Sequence, residues 1–208
     1  MVKKRKPINM NISNFYSNEN VSSCPKNEYP EYAFIGRSNV GKSSLINAVV
    51  GRKIAKTSST PGKTQLINHI IINNSWMLVD LPGYGYATLS KLMRKKILDR
   101  TRQYFIKRGT QLVGAFVLID IRINVQKIDL EWMEWLVENN IYFIRVFTKC
   151  DGLNKNAVKE NIAKYDKIMK RENWGEIPET IITSSKKRVG KDEILNTIMG
   201  LNNLFQNI

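Results

Sequence analysis

The sequence predicts a three-layer α/β domain with a mixed, mostly parallel six-stranded sheet and one antiparallel edge strand. Three observations predict it. From Glu31 onward, short apolar runs alternate with longer amphipathic stretches, the rhythm of successive strand–helix units. That rhythm breaks once, in LINHIIINNSWMLVD (66–80), where Asn73-Asn74-Ser75 is too short for a parallel crossover and forces an antiparallel hairpin. Finally, the first apolar run ends in GRSNVGKS (36–43), a loop that belongs between a strand and a helix.

In chain order, residues 1–27 are basic, polar and rich in Asn, with KKRK at 3–6, and read as a tail with one pairing segment near Ile8–Phe15. The folded domain is expected over 28–208. Its strands are YAFIG (32–36), the hairpin runs LINHIII (66–72) and WMLVD (76–80), LVGAFVLID (112–120), IYFIRVFT (141–148) and ETIITSS (179–185). The helices fall near Lys42–Val50, Ser90–Lys107, Asp129–Asn139, Lys155–Arg171 and Lys191–Phe205. In the second, Leu89, Met93, Ile97, Thr101 and Phe105 recur every four residues and mark a stripe to be buried.

Composition narrows the function classes. A hydrophobic fraction of 42% with 25% charged residues suits a soluble folded enzyme, and no apolar run is long enough to span a membrane. The basic start lacks the apolar core of a secretory signal, although its acid-poor composition leaves an organelle transit peptide as an alternative. Cys24 and Cys150 show no metal-like spacing and read as reduced thiols of a cytoplasmic protein. The net charge of +15 exceeds what solubility requires and favours a polyanionic partner.

The motifs carry the chemistry. GRSNVGKS matches G-x-x-x-x-G-K-S/T in full. Its backbone would wrap a phosphate chain, Lys42 would reach the β- and γ-phosphates, and the Ser43 hydroxyl would ligate Mg2+. TKCD (148–151) selects the base: a carboxylate at Asp151 accepts two hydrogen bonds from guanine that adenine cannot give, while the Lys149 stem covers one face of the ring. TSSK (183–186) ends the last strand, where backbone N–H groups would meet the guanine oxygen. In STPGKTQ (59–65), Thr64 is the preferred second Mg2+ ligand, with Thr60 as the rival. Asp80 would bind the metal through water, and the Gly83 N–H would touch the γ-phosphate. Both loops would then be ordered by GTP and released after hydrolysis.

With Pro61-Gly62-Lys63-Thr64-Gln65, DLPGYGYA, TKCD and SSK in this order, together with PEYAFIGRSNVGKSSLIN (30–47) and IDIR (119–122), the chain resembles the EngB family of GTPases from about Pro30 onward. The resemblance implies a Ras-like GTPase domain assisting assembly of the large ribosomal subunit. The implied nucleotide site comprises Gly36, Arg37, Ser38, Asn39, Val40, Gly41, Lys42 and Ser43, then Gly62, Lys63, Thr64, Gln65 and Leu66. It continues with Asp80, Leu81, Pro82 and Gly83, then Thr148, Lys149, Cys150 and Asp151, and ends on Thr183, Ser184 and Ser185. Thr148 replaces the Asn of most GTPases, and Cys150 stands where the family more often has Ala.

Tyr84 occupies the place of the catalytic glutamine of Ras-type enzymes and cannot orient water, so intrinsic hydrolysis is expected to be slow. A partner's positive group or a monovalent cation would substitute; Asn39 is the candidate K+ ligand, or it merely shapes the loop. Lys42, Thr64, Gly83 and Asn39 form the expected catalytic set. The output is expected on the second helix, whose Lys91, Arg94, Lys95 and Arg102 would meet ribosomal RNA, with KKR (186–188) and Lys191 extending that face. A monomer without membrane insertion is expected. Two alternatives are a regulatory GTPase at the membrane or division site, and an RNA-binding module using GTP as a structural ligand. His69, Trp132 and Trp135 read as packing residues.

Overall fold

The computed structural model describes residues 10–26, 28–55, 66–86, 89–172 and 174–205. One sheet of seven strands has the order β1-β3-β4-β2-β5-β6-β7. The strands are β1 (Ile12–Asn18), β2 (Glu31–Gly36), β3 (Ile67–Ile72), β4 (Trp76–Asp80), β5 (Leu112–Asp120), β6 (Phe143–Thr148) and β7 (Thr180–Ile182). The helices are α1 (Lys42–Val50), α2 (Lys91–Lys107), α3 (Lys127–Glu138), α4 (Lys155–Arg171) and α5 (Lys191–Phe205). β4, β2, β5, β6 and β7 run parallel, and β3 is antiparallel to both its neighbours.

The sheet thus has one strand more than the six expected, and the hairpin's outer strand β3 is not its edge. The extra strand, β1, is the pairing segment expected near Ile8–Phe15, found at Ile12–Asn18 and paired along β3. Its consecutive residues Asn14, Phe15, Tyr16 and Ser17 are all exposed, so no apolar alternation sets its bounds. Short polar side chains hold it instead. Asn11 N donates to Asn73 Oδ1 at 2.8 Å, Asn74 N to Ser13 Oγ at 3.1 Å, and Ser17 Oγ to Asn68 Oδ1 at 2.7 Å.

The central strands are buried on both faces, as parallel strands between helix layers must be. Their period of two deals residues to two cores. Tyr32, Phe34, Phe116, Leu118, Ile144 and Val146 face α1 and α5; Ala33, Ile35, Val117, Ile119 and Phe147 face α2, α3 and α4. Helix starts follow the local chemistry, since Ser90 Oγ accepts from Met93 N (3.3 Å) and Asn154 Oδ1 from Ala157 N (2.9 Å). On α2 only the later part of the predicted stripe is buried, through Ile97, Thr101, Tyr104 and Phe105. Lys91 through Lys96 are all exposed, Met93 among them, because the opening turns of the helix stand clear of the core.

A buried polar knot fixes the other end of α2 to the sheet. Glu31, at the start of β2, accepts from Tyr104 Oη at 2.5 Å and from Arg108 Nε at 2.8 Å and is ion-paired with Arg108 Nη2. His69 lies 3.7 Å from the same carboxylate, yet burial and the Arg108 charge lower its pKa to about 3. It is a neutral packing residue, as expected. Cys24 and Cys150 are free thiols that burial pushes up, Cys24 to about 11, which suppresses thiolate chemistry.

Candidate functional site

The parallel strands all end on one edge of the sheet, since Phe34 pairs with Asp80, Gly36 with Leu118, Asp120 with Thr148 and Phe147 with Ile182. β2 lies between β4 and β5, so the strand order reverses at its end and opens a crevice there. GRSNVGKS leaves β2 at this point and enters α1. A Cβ on Gly36 would sit 2.7 Å from the Leu118 carbonyl, and one on Gly83 would sit 2.5 Å from the Gly36 carbonyl. No side chain fits at either position. Tyr84 N donates to Gly36 O (3.2 Å) and Ser38 N to Tyr84 O (3.0 Å), so DLPGYG lies as a ribbon along the start of the phosphate loop.

At the crevice floor, the amine of Lys42 is paired with the Asp80 carboxylate, both groups being buried. A lysine that would serve phosphates is thus already neutralised by the carboxylate that would serve a metal. Ser43, beside Lys42 at the start of α1, adds a hydroxyl. Hydroxyl and carboxylate oxygens are the hard donors that Mg2+ takes, so this set fits the ion. Gly62, Lys63, Thr64 and Gln65, with the rival Thr60, lie outside the described residues; Leu66 is half-buried just before β3. Leu81 and Pro82 are buried, and Leu81 N donates to Phe34 O.

A cleft of about 1240 Å³ continues from Gly41 past Thr148, Lys149 and Asp151 to Ser185. Thr148 Oγ1 lies 2.7 Å from Val40 O and 3.2 Å from Ile119 O, bracing the phosphate loop against the sheet. Lys149 has a left-handed backbone (φ 60°), and its amine is fastened to Asn39 O (2.6 Å) and Asp120 Oδ2 (2.8 Å). Burial alone would raise the Asp120 pKa, but hydrogen bonds from Arg122 and Lys149 hold it below the usual carboxylate value. Asp151 Oδ1 accepts from the buried Ser184 hydroxyl at 2.5 Å, which lowers its pKa. The amides of Thr183 and Ser184 are spent on Phe147 O and Val189 O, leaving Ser185 as the cleft-lining donor of that strand end. Ser184 therefore serves the cleft through Asp151. Cys150 is half-buried, its amide on Thr183 O.

Tyr84 does not face the crevice. It is 5% exposed, its ring stacks on Trp132 at 5.5 Å, and its hydroxyl donates to Asp129 Oδ1 at 2.9 Å. Arg102 is half-buried with its guanidinium 5.3 Å over the Trp135 ring, so it packs α2 on α3, whereas Lys91, Arg94 and Lys95 are exposed. Lys186, Arg188 and Lys191 line the nucleotide cleft with Arg52 and Lys53.

A family model described as 50S ribosome-binding GTPase matches residues 31–149. A Christiangramia forsetii protein named "Probable GTP-binding protein EngB" is 55% identical over 188 residues, covering 90% of this chain and 94% of its own. A Bacteroides fragilis protein of the same name is 54% identical over 187 residues, 89% of this chain and 92% of its own. The chain belongs to the EngB family of GTPases. A crystal structure of a probable GTP-binding protein engB has a TM-score of 0.68 at 25% identity, over 83% of this chain and 98% of its own. A point variant of Aquifex aeolicus Era bound to GDP.AlF4- shares the fold, with a TM-score of 0.66 at 24% identity over 82% of this chain and 56% of its own. As an EngB protein, the chain binds guanine nucleotides and is a GTPase.

Two site carboxylates were missed by sequence reasoning. Asp120 ends β5 inside the IDIR stretch and could have been found as a strand-end acid level with TKCD. Asp129 carried no signal beyond its place in the first turn of α3, because its partners come from 45 and 36 residues away.

Two outcomes follow for this site. Lys42→Ala leaves Asp80 buried without its partner and should cost the nucleotide-free protein about 3–5 kcal/mol in urea unfolding. The Lys42→Ala/Asp80→Ala pair should recover part of that loss; equal midpoints for wild type and the single variant would show that Asp80 is solvated after all. Burial also raises the Asp129 pKa to about 6, so its contribution to stability is full below the ordinary carboxylate range and is lost as pH rises through 6. Between pH 5 and 7.5, Asp129→Asn should therefore lose less stability than wild type, by about 1–2 kcal/mol. Parallel pH profiles would contradict this.

Proposed function

We propose that this EngB protein is a GTP-gated assembly factor for the large ribosomal subunit, docking on ribosomal RNA when GTP is bound and leaving when GDP remains. The observation that carries the reading is the start of α2. It follows the DLPGYG loop closely, and its first six residues, Lys91 to Lys96, are all exposed, four of them cations. Lys91, Arg94 and Lys95 have no ion-pair partner among the described residues. Phosphates would satisfy them. The net charge of +15 and the family model's description point the same way. Arg102, turned onto Trp135, acts on the pose of the helix rather than on RNA.

In this reading the GTP state is set by Lys42 on the β- and γ-phosphates, by the Gly83 amide on the γ-phosphate, and by Ser43, Thr64 and Asp80 around Mg2+. The ion supplies charge neutralisation on the phosphates. Hydrolysis is a matter of placing charge and excluding misalignment, since Tyr84 offers the water nothing. Asn39 is exposed at the turn of the phosphate loop (φ 63°), and its carbonyl is occupied by Lys149. Its side-chain oxygen is thereby left for K+ beside the phosphates.

Co-sedimentation with ribosomal subunits and their precursors tests the partner. Binding should require a GTP analogue and weaken steeply with salt, and Lys91→Glu/Arg94→Glu/Lys95→Glu should lower it at least about tenfold while GDP affinity holds. Binding that is indifferent to nucleotide, or a parallel fall in GDP affinity, would overturn the gated face. For the cation, wild-type hydrolysis should be faster in K+ than in Na+, and Asn39→Ala should abolish the difference. Equal rates in the two salts, with and without ribosomes, would remove K+ from the mechanism.

A further inference from the structure

We propose that Asp129 is a positioning residue for the γ-phosphate contact, acting through Tyr84. The inference rests on the reading that the Gly83 amide senses that phosphate. Gly83 and Tyr84 are adjacent; among the described residues two backbone hydrogen bonds, through Gly36 O and Ser38 N, hold them to the phosphate loop, and the Tyr86 hydroxyl hydrogen-bonds the Gly83 backbone. The side-chain anchor that reaches out of the loop into the helices is the Tyr84 hydroxyl on Asp129. Fixing Tyr84 at its far end fixes the peptide that carries the sensing amide.

The surroundings of Asp129 argue against a merely structural acid. The residue is 1% exposed, and its two oxygens accept from phenols, Tyr84 at 2.9 Å and Tyr165 of α4 at 3.3 Å. The charged group facing it is Arg37 of the phosphate loop, whose attraction lowers the Asp129 pKa without offsetting the effect of burial. Arg37 passes beneath Gly85, where a Cβ would lie 3.6 Å from its Nε, and its Nη1 is buried without a hydrogen-bond partner among the described residues. A carboxyl group buried among phenols is poor material for a core, where an amide or apolar residue would cost less. What it holds is distinctive: one side chain joins the DLPGYG loop, α3 and α4, with the phosphate-loop arginine alongside. Stacking of Tyr84 on Trp132, and of Trp132 on Trp135 at 5.1 Å, carries the loop's position on to the helix pair that includes α2.

The test compares affinities for GDP and a non-hydrolysable GTP analogue in Tyr84→Phe, Asp129→Asn, the double variant and Gly83→Ala, with Mg2+ present. Tyr84→Phe keeps the ring in its stack and loses only the hydroxyl, so it carries the test should Asp129→Asn fold poorly. Each of the first two should lower analogue affinity about tenfold, with GDP affinity within about twofold. The double variant should be no worse than either single one, and single-turnover hydrolysis should fall in parallel. Discrimination lost in Gly83→Ala but intact in Tyr84→Phe and Asp129→Asn would overturn the role of Asp129 alone. Unchanged discrimination in all variants would overturn the Gly83 contact and the Asp129 role together. Equal losses for both nucleotides in Tyr84→Phe would reduce Asp129 to a structural acid.

Discussion

The approach of Gly83 to Gly36 is the constraint on which the rest of this molecule depends. Two backbones that in most loops would be kept apart by side chains lie close enough to hydrogen-bond because Gly83 carries no Cβ to meet the Gly36 carbonyl, while the bare Cα of Gly36 lets the phosphate loop leave β2 against Leu118. One consequence is geometric: the DLPGYG loop lies directly along the start of the phosphate loop. Another is electrostatic, since that register sets Lys42 against Asp80 at the crevice floor. A third is topological. The approach is possible only where β2 and β4 are parallel neighbours ending level, with the strand order reversing beside them.

Buried charge is distributed unevenly over the fold. Glu31 is closed off by Arg108 and Tyr104, a satisfied knot that pins α2 and leaves His69 neutral. Arg145 is likewise tied to Asp166 and Thr180, each at 2.7 Å. Both groups are remote from the crevice and contribute order. At the crevice the pairing is different: Lys42 and Asp80 neutralise one another, and Asp129 accepts from the phenols of Tyr84 and Tyr165.

The positive surface also divides. The exposed opening of α2 lies shortly after the DLPGYG loop in the chain, whereas Arg52, Lys53, Lys186, Arg188 and Lys191 line the cleft itself. The acidic residues of α3, Glu131, Glu134 and Glu138, are exposed on the adjacent helix. Cations on α2 thus stand beside acids on α3, a charge contrast between adjacent helices.

The sequence by itself determined the layer architecture and put GRSNVGKS, DLPGYG, TKCD and TSSK at the strand ends where the structure has them. Those features rest on local quantities: period-two and four-residue patterns, a hairpin too short to cross over, and loops whose glycines and lysine fit phosphate. The parallel sheet then brings strand ends 36, 80, 120 and 148 to one edge almost inevitably. Tertiary structure alone decided three matters. β1 took its bounds and its register on β3 from backbone pairing and Asn/Ser hydrogen bonds, which no apolar alternation along the strand announces. Arg102 left the basic face because an indole in α3 came within reach, although helical periodicity places it with Lys91 and Lys95. Tyr84, which sequence could identify only as unable to hold water, proved to be an anchor, since its partners Asp129 and Tyr165 come from distant helices and the contact exists only once those helices have packed.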